Sequence, residues 1–401
     1  MPNSLLRQYL QTMKIAVIGV KGIPSDRGDI ERYCQEFYPR IAGRGHQVDL
    51  FVTPALNQHP WFSVGYYHNV RVIALAPLPP KQTGFMLSSA FSTVWASLGG
   101  YDVIHIQGVK AAWFSWFPHL FSNSKIIVTS HQLDIYCHHT KWDKVFCWLS
   151  SLMEKTAIRS ADEVVVISKA LGEYFHNKYK ITPRYIPNAP GICEQKDSEF
   201  TYGASLGLTP KKYFLYLGKL TSENRPDILI RAFQKLQPQG WKLIIAGGVD
   251  NSMKYAIELL RLAKENQNII FNNEIKGQHL AEIINGAGLL VMPTDGSDLG
   301  LPLTVLEAMK KKIPVLASDN RVYRRLIGED RGLLFESGNL EDLLKKMQYA
   351  LSEPSILATM AQKAQTYVTI NHNWDRVTYG NLSLYLKITE KIDSSAMQHN
   401  L

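Results

Sequence analysis

Tyr213-Phe-Leu-Tyr-Leu-Gly218 decides the fold. The run is apolar, rich in aromatics and closed by a glycine, which is how a parallel strand buried on both faces reads. It is the second opening of this kind, because Lys14-Ile-Ala-Val-Ile-Gly19 has the same form. After the first opening, strand-like runs recur at 47–52, 70–75, 103–106, 126–129 and 164–167. Amphipathic stretches such as 30–43, 144–159 and 169–179 lie between them. After the second opening they recur at 242–246, 269–271, 289–292, 315–317 and 332–335. Between the two series, Pro187-Asn-Ala-Pro-Gly191 and about twenty polar, turn-rich residues break the rhythm. The alternation predicts parallel sheets covered by helices on both faces. The restart predicts two α/β domains instead of one long sheet. The expected layout is a tail at 1–12, a first domain at 13–190, a linker at 191–210, a second domain at 211–370 and a final helix within 371–392. Open α/β sheets bind ligands beyond the carboxyl ends of their strands, so a central cleft between the domains is the expected site. That layout by itself suits a transferase, an epimerase or a binding protein of the periplasmic type.

Bulk composition narrows the class. The chain has 401 residues, 45% of them hydrophobic and 20% charged, an ordinary globular balance. No apolar run approaches the ~18–20 residues of a membrane span. The most apolar stretch, 85–98, is interrupted by four serines and a threonine. The first twelve residues lack an apolar signal core, so the expected location is the cytoplasm, with the inner face of a membrane left open. The formal net charge of +9 suits phosphorylated substrates, anionic lipid or nucleic acid. No nucleic-acid signature accompanies it. The one tight basic run, Lys310-Lys311-Lys312, reads as the solvated end of a helix. Cys34, Cys137, Cys147 and Cys193 form no Cys-x-x-Cys pair and are expected as reduced thiols. His131, Cys137, His138 and His139 fit no zinc spacing, and no metal is expected. The aromatic stretch Trp113-Phe-Ser-Trp-Phe-Pro-His-Leu-Phe121 leaves two readings open, an interfacial membrane helix or a helix packed on the first sheet.

The segment with most chemistry is Asp298-Leu-Gly-Leu-Pro-Leu-Thr-Val-Leu-Glu-Ala-Met309. A loop containing glycine and proline runs from a strand straight into a helix beginning near Leu303. The first amides of such a helix are free to hold a diphosphate. Glu307 lies one turn in, where a carboxylate can accept hydrogen bonds from ribose hydroxyls or merely complement the helix dipole.

This stretch resembles the EGLP…LLEAM segment of retaining glycosyltransferases of family 4, which have the GT-B fold. The similarity extends over about 350 residues in order. The opening strand and loop at 14–24 match, as do the helix and strand at 36–48. So do Val128-Thr-Ser-His131, the 161–168 segment, Ile186-Pro-Asn188, Tyr216-Leu-Gly-Lys-Leu220 and Val315-Leu-Ala-Ser-Asp319. The resemblance implies two Rossmann-like domains facing a central cleft, with the C-terminal helix returning to the N-terminal domain. It implies transfer of a sugar from a nucleotide-diphosphate donor to a glycan or lipid-linked acceptor, without a metal or other cofactor. Glu307 would bind the donor ribose. Leu303 and Thr304 would offer amides to the diphosphate, with Gly300 in the same loop. Lys219 would stand where an arginine neutralises that diphosphate. Gly28 would sit in the phosphate-facing loop of the other domain, and His131 beside the transferred sugar. The transition state would be oxocarbenium-like, with the leaving phosphate taking the acceptor proton.

Four positions and one loop length depart from the family pattern. The first of the two motif glutamates falls on Leu299, leaving Asp298 as its candidate stand-in. Asn224 replaces a lysine, with Arg225 beside it. Asp29 replaces the second glycine of a pair. Gln132 replaces the glycine after the histidine, and the following loop is about two residues longer. These departures keep a second reading open: a non-catalytic relative serving as a partner subunit or a glycan- or nucleotide-binding module. Sugar identity, acceptor and oligomeric state are not written in the sequence.

Overall fold

The computed structural model describes residues 12–25, 28–53, 62–75, 81–133, 141–191, 200–249, 253–295 and 300–389. The chain forms two compact units. One comprises the residues up to Asn188 together with those from Trp374 onward; the other is Ala189–Asn373.

In the first unit the elements run β1 (Lys14–Val20), α1 (Asp29–Ala42), β2 (Gln47–Val52), β3 (Val64–Tyr67), β4 (Val70–Ala74), α2 (Lys81–Leu98) and β5 (Val103–Gln107). A 3-10 helix (Val109–Phe114) follows, then α3 (Pro118–Phe121), β6 (Lys125–Ser130), α4 (Lys141–Ser160), β7 (Glu163–Val166), α5 (Lys169–Tyr179) and β8 (Arg184–Tyr185). The sheet order is β3-β4-β2-β1-β5-β6-β7-β8. All pairings are parallel except the β3–β4 hairpin. Its two-residue turn, His68–Asn69, has φ of 42° and 68°, the left-handed geometry whose twist suits a tight hairpin. The sequence pattern marks β4 but not β3.

β1 is buried along almost its whole length, as its apolar run requires. Glycine is needed where it ends. Gly19 has φ of 92°, and a Cβ there would lie 2.3 Å from the Gln107 carbonyl oxygen. The ends of β1 and β5 can converge only without that carbon. Asp49 is fully buried on β2 and is held by the Arg71 guanidinium and by the Tyr101 hydroxyl at 2.7 Å. This answers the cost of burying a carboxylate.

The second unit carries α6 (Thr201–Ser205), β9 (Tyr213–Leu217), α7 (Pro226–Leu236), β10 (Lys242–Ala246), α8 (Met253–Ala263) and β11 (Ile269–Asn272). It continues with α9 (Gly277–Gly286), β12 (Leu289–Met292), α10 (Leu303–Lys310), β13 (Val315–Ser318), α11 (Arg321–Ile327), β14 (Leu333–Phe335), α12 (Leu340–Ser352) and α13 (Pro354–Asn371). The order β11-β10-β9-β12-β13-β14 is the Rossmann arrangement, reversing direction between β9 and β12. β9 explains the two-sided burial. Tyr213, Leu215 and Leu217 join one core cluster, with α9 and α10. Phe214 and Tyr216 join another, with α7, α8 and α12. Period-two alternation thus feeds both faces.

One boundary needs correction. Residues 200–210 are not linker. They carry α6, and the Gly203 amide donates to the buried Glu282 carboxylate of α9 at 2.7 Å. A polar stretch reads as linker when the carboxylate that anchors it lies nearly eighty residues away.

The last helix, α14 (Trp374–Ile388), belongs to the first unit. Asn381 donates to the Tyr33 hydroxyl at 3.1 Å, and the Tyr385 hydroxyl meets His105. Among the described residues no helix is long and apolar enough to cross a membrane.

Candidate functional site

In the second unit the expected residues gather at the strand ends beside the switch point. The loop after β9 and the loop after β12 are tied together, with the Asp295 amide donating to the Glu223 carbonyl at 2.9 Å. The Thr294 hydroxyl lies 3.4 Å from Asn224 Oδ1. Asn224 Nδ2 in turn donates to the Lys219 carbonyl at 3.0 Å, and the Tyr216 hydroxyl donates to the same oxygen at 2.8 Å. Asn224 therefore acts as a staple of the 219–224 turn. Lys219 itself is exposed at the rim.

Gly218 and Gly247 set how closely β9 and β10 end. A Cβ on Gly247 would fall 1.8 Å from the Gly218 carbonyl oxygen. Gly247→Ala is expected to push the Gly218–Lys219 turn outward. We expect about tenfold weaker nucleotide binding with the fold retained, measurable by calorimetry alongside circular dichroism. Beside these glycines lies a cavity of about 220 Å³, lined by Leu220, Phe271, Asn272 and Asn273 among others.

α10 starts at Leu303, with Pro302 at its cap position and no side-chain cap. Val305 and Leu306 amides already bond to the Pro302 carbonyl. The Leu303 and Thr304 amides have no acceptor among the described residues. They are the donors that a helix start leaves for an anion. Leu303, Val305, Leu306 and Met309 anchor the helix in the core and fix its tip. Glu307 is the exception on this apolar helix: it is 8% exposed. Gly191 lies over it, where a Cβ would be 3.6 Å from Glu307 Oε1. Gly300 opens the described part of the loop leading into α10; Asp298 and Leu299 lie outside the described residues.

Arg225, the cation beside Asn224 and with it a candidate donor contact, has a local partner. It has a left-handed φ of 51° just before α7 and pairs with Asp227 through two hydrogen bonds, of 3.1 and 3.4 Å. The Tyr255 hydroxyl completes the shell of Asp227 at 2.7 Å. The hydrogen bond to Asp227 raises the Arg225 pKa, and Arg225 with Tyr255 holds the Asp227 carboxyl below its ordinary value despite its desolvation. Nε and Nη2 of the guanidinium are thus engaged within their own turn.

In the first unit, Gly28 precedes α1 with φ of 85°. The Glu31 carboxylate folds back over it, and a Cβ on Gly28 would lie 2.0 Å from Glu31 Oε2. Glu31 also accepts from the Lys21 amide at 3.1 Å. Its pKa is raised, chiefly by burial. The Glu31 carboxylate therefore covers Gly28.

His131 follows β6, is 5% exposed and packs edge-on against Tyr33 at 5.0 Å. Its Nε2 donates to Gln107 Oε1 at 2.8 Å. Gln107 Nε2 donates to the Tyr38 hydroxyl at 2.6 Å, and that hydroxyl lies 3.0 Å from His105 Nδ1. His105 Nε2 reaches the Thr129 hydroxyl at 2.7 Å. With the proton on Nε2, His131 Nδ1 is left as a buried acceptor with no partner among the described residues. Burial lowers the His131 pKa to about 4 and the His105 pKa to about 3, the second also pressed down by His131. Both rings are neutral at neutral pH. Sequence reading missed Gln107, Tyr38, His105 and Glu31. A signal existed in Val103-Ile-His-Ile-Gln107, where two polar residues two apart share one face of an otherwise apolar strand. Cys34 is a buried thiol in the same core, whereas 137–139 lie outside the described residues.

A parallel α/β sheet with an amide-lined helix start and a buried carboxylate at its switch point has its candidate site where open α/β sheets bind ligands. The comparisons agree on the class. Residues 201–367 match the family of glycosyl transferases group 1, and residues 30–189 match glycosyltransferase family 4. The chain belongs to the group 1, family 4 glycosyltransferases, and its two units are those of the GT-B fold. An uncharacterized glycosyltransferase of Methanocaldococcus jannaschii is 23% identical, with 93% of this chain and 98% of that one covered. Sucrose-phosphate synthase from Thermosynechococcus elongatus has the same fold, with a TM-score of 0.78 at 22% identity over 94% of this chain and 99% of that one. Anabaena HepE in complex with UDP-glucose superposes with a TM-score of 0.72 at 17% identity, covering 93% and 99%.

Proposed function

We propose that this glycosyltransferase moves a sugar, with retention of configuration, from a nucleotide-diphosphate donor to a glycan or lipid-linked acceptor in the cytoplasm. One observation carries the reading: a carboxylate buried inside α10, one turn from two unengaged amides, at the switch point of a Rossmann sheet. In this reading Glu307 accepts hydrogen bonds from the ribose hydroxyls. The Leu303 and Thr304 amides and the Lys219 ammonium take the charge that grows on the leaving diphosphate, so no metal is needed. Asn224 supports the reading as a positioning residue, since it holds the turn that carries Lys219. Arg225 holds Asp227 through Nε and Nη2, and its remaining N–H groups are the donors it would offer to the diphosphate. His131, neutral, accepts a hydrogen bond from a sugar hydroxyl through Nδ1. The complex of HepE with UDP-glucose supports a uridine nucleotide as the first donor to try.

The test is a thermal-shift screen of UDP-, GDP- and ADP-sugars followed by calorimetry, since a bound donor raises the melting temperature by mass action. One nucleotide is expected to bind and its sugar to be transferred or slowly hydrolysed. Folded protein that binds none of them would overturn the reading.

A further inference from the structure

We propose that the first unit docks on an anionic lipid bilayer through an apolar face built by α2, the 109–121 segment and α4. The inference deepens the reading above and rests on its lipid-linked acceptor.

α2 is patterned inside out. Leu87, Phe91, Trp95 and Leu98 recur at helical spacing and are 49, 49, 44 and 73% exposed. Ser88, Ser89, Ser92, Thr93 and Ser97 are buried instead. The hydroxyls of Ser89, Ser92, Thr93 and Ser97 are satisfied within the helix, each donating to the carbonyl four residues back at 2.7–2.8 Å. A helix facing water carries the opposite pattern. Large apolar side chains outside and small hydroxyls inside suit a helix whose outer face meets hydrocarbon.

The neighbouring elements carry exposed apolar side chains as well. The 109–121 segment is fixed between α2 and α4. Trp113 Nε1 donates to the Met86 carbonyl at 3.1 Å, and Ser115 and His119 bond to Ser160 at 2.6 and 2.7 Å. The segment therefore packs on the protein through Val109, Ala111 and Ala112 while exposing Trp116, Leu120 and Phe121. α4 adds Trp148, Leu149 and Leu152. Exposed tryptophans thus stand on three adjacent elements, and Trp is the side chain that best suits the headgroup boundary.

Charge selects the occupant. From Lys81 to Lys125 the sequence holds one acid, Asp102, and it accepts the Lys14 amide at 2.7 Å. Glu154 of α4 is buried and paired with Lys178. Lys110, Lys155 and Arg159 are exposed. On α4, Trp148, Leu152, Lys155 and Arg159 follow one another along a single helical stripe, apolar first and cationic after. An interfacial surface needs that order, apolar groups in the acyl boundary and cations at the phosphates. A second copy of the chain on the same face would set these cations against their own kind.

The test is co-sedimentation of the full chain with vesicles of equal parts phosphatidylcholine and phosphatidylglycerol, compared with phosphatidylcholine alone. The protein is expected to follow the anionic vesicles and to be released by salt. Phe91→Ser with Leu98→Ser, and separately Lys155→Glu with Arg159→Glu, are expected to lower partitioning about tenfold or more. All these side chains are exposed, so melting temperature and nucleotide binding should stay as in the wild type. Nucleotide binding in the same samples separates the two claims: its loss in the wild type strikes the donor reading, whatever the vesicles show. Absence of wild-type sedimentation, equal binding to neutral vesicles, or variants that partition normally would overturn the docking proposal. So would a lipid-free dimer that the same substitutions dissociate.

Discussion

Glu307→Ala is expected to weaken nucleotide binding by about a hundredfold or more. A carboxylate accepting two ribose hydroxyls makes two charge-assisted hydrogen bonds, each contributing about 1.5–3 kcal/mol. The lower figure, doubled, is already about a hundredfold in affinity. The fold should not suffer. Glu307 is the one acid on a helix otherwise anchored by Leu303, Val305, Leu306 and Met309, and alanine leaves those anchors untouched. Glu307→Gln should fall between, because it keeps one acceptor and loses the charge. Calorimetry with the preferred nucleotide, on protein whose melting temperature is unchanged, measures both. Alanine binding as tightly as glutamate would remove the donor site from α10.

The parts legible in sequence are those whose cause is local. Buried parallel strands announce themselves as apolar runs, so β1 and β9 could be placed from their own residues. The start of α10 could be placed too, since the Gly300–Pro302 turn and the helix follow one another directly. β3 was hidden because it is an exposed edge, with Val64 and Tyr66 60 and 77% exposed, and so lacks an apolar run. α6 was hidden because its anchor is Glu282, far along the chain. The same holds for His131. Its residue type and strand end were readable, but its state depends on Gln107, Tyr38 and His105, which come from another strand and a helix. Arg225 is the opposite case. Its partner Asp227 stands two residues away, so this pair is local and was open to reading from Arg225-Pro-Asp227.

Those two buried histidines lead to the second large effect, a loss of stability in mild acid. Their pKa values in the folded protein, about 4 for His131 and about 3 for His105, lie below the ordinary 6.5. Below pH 6.5 the unfolded chain therefore binds protons that the folded chain refuses. Stability is whole above pH 6.5 and falls as the pH drops toward 4. At pH 4.5 the expected loss is about 2–3 kcal/mol per histidine, a large share of an ordinary domain's stability. Urea titrations at pH 7.5, 6 and 5 should show unfolding taking up close to two protons across this window, and His131→Asn should remove about one of them. A midpoint that does not move between pH 7.5 and 5 would mean that neither ring is held neutral. The consequence for catalysis follows from the same burial. A protonated His131 would help to neutralise a departing diphosphate, yet its surroundings forbid the charge and its Nε2 proton is spent on Gln107. What remains is Nδ1, which can accept a hydrogen bond and cannot donate one. The pH profile of kcat should accordingly show no histidine step from His131 between pH 5 and 8, and replacing Gln107 by leucine should damage turnover more than nucleotide affinity. A leucine there leaves the His131 proton free to move to Nδ1, turning the proposed acceptor into a donor.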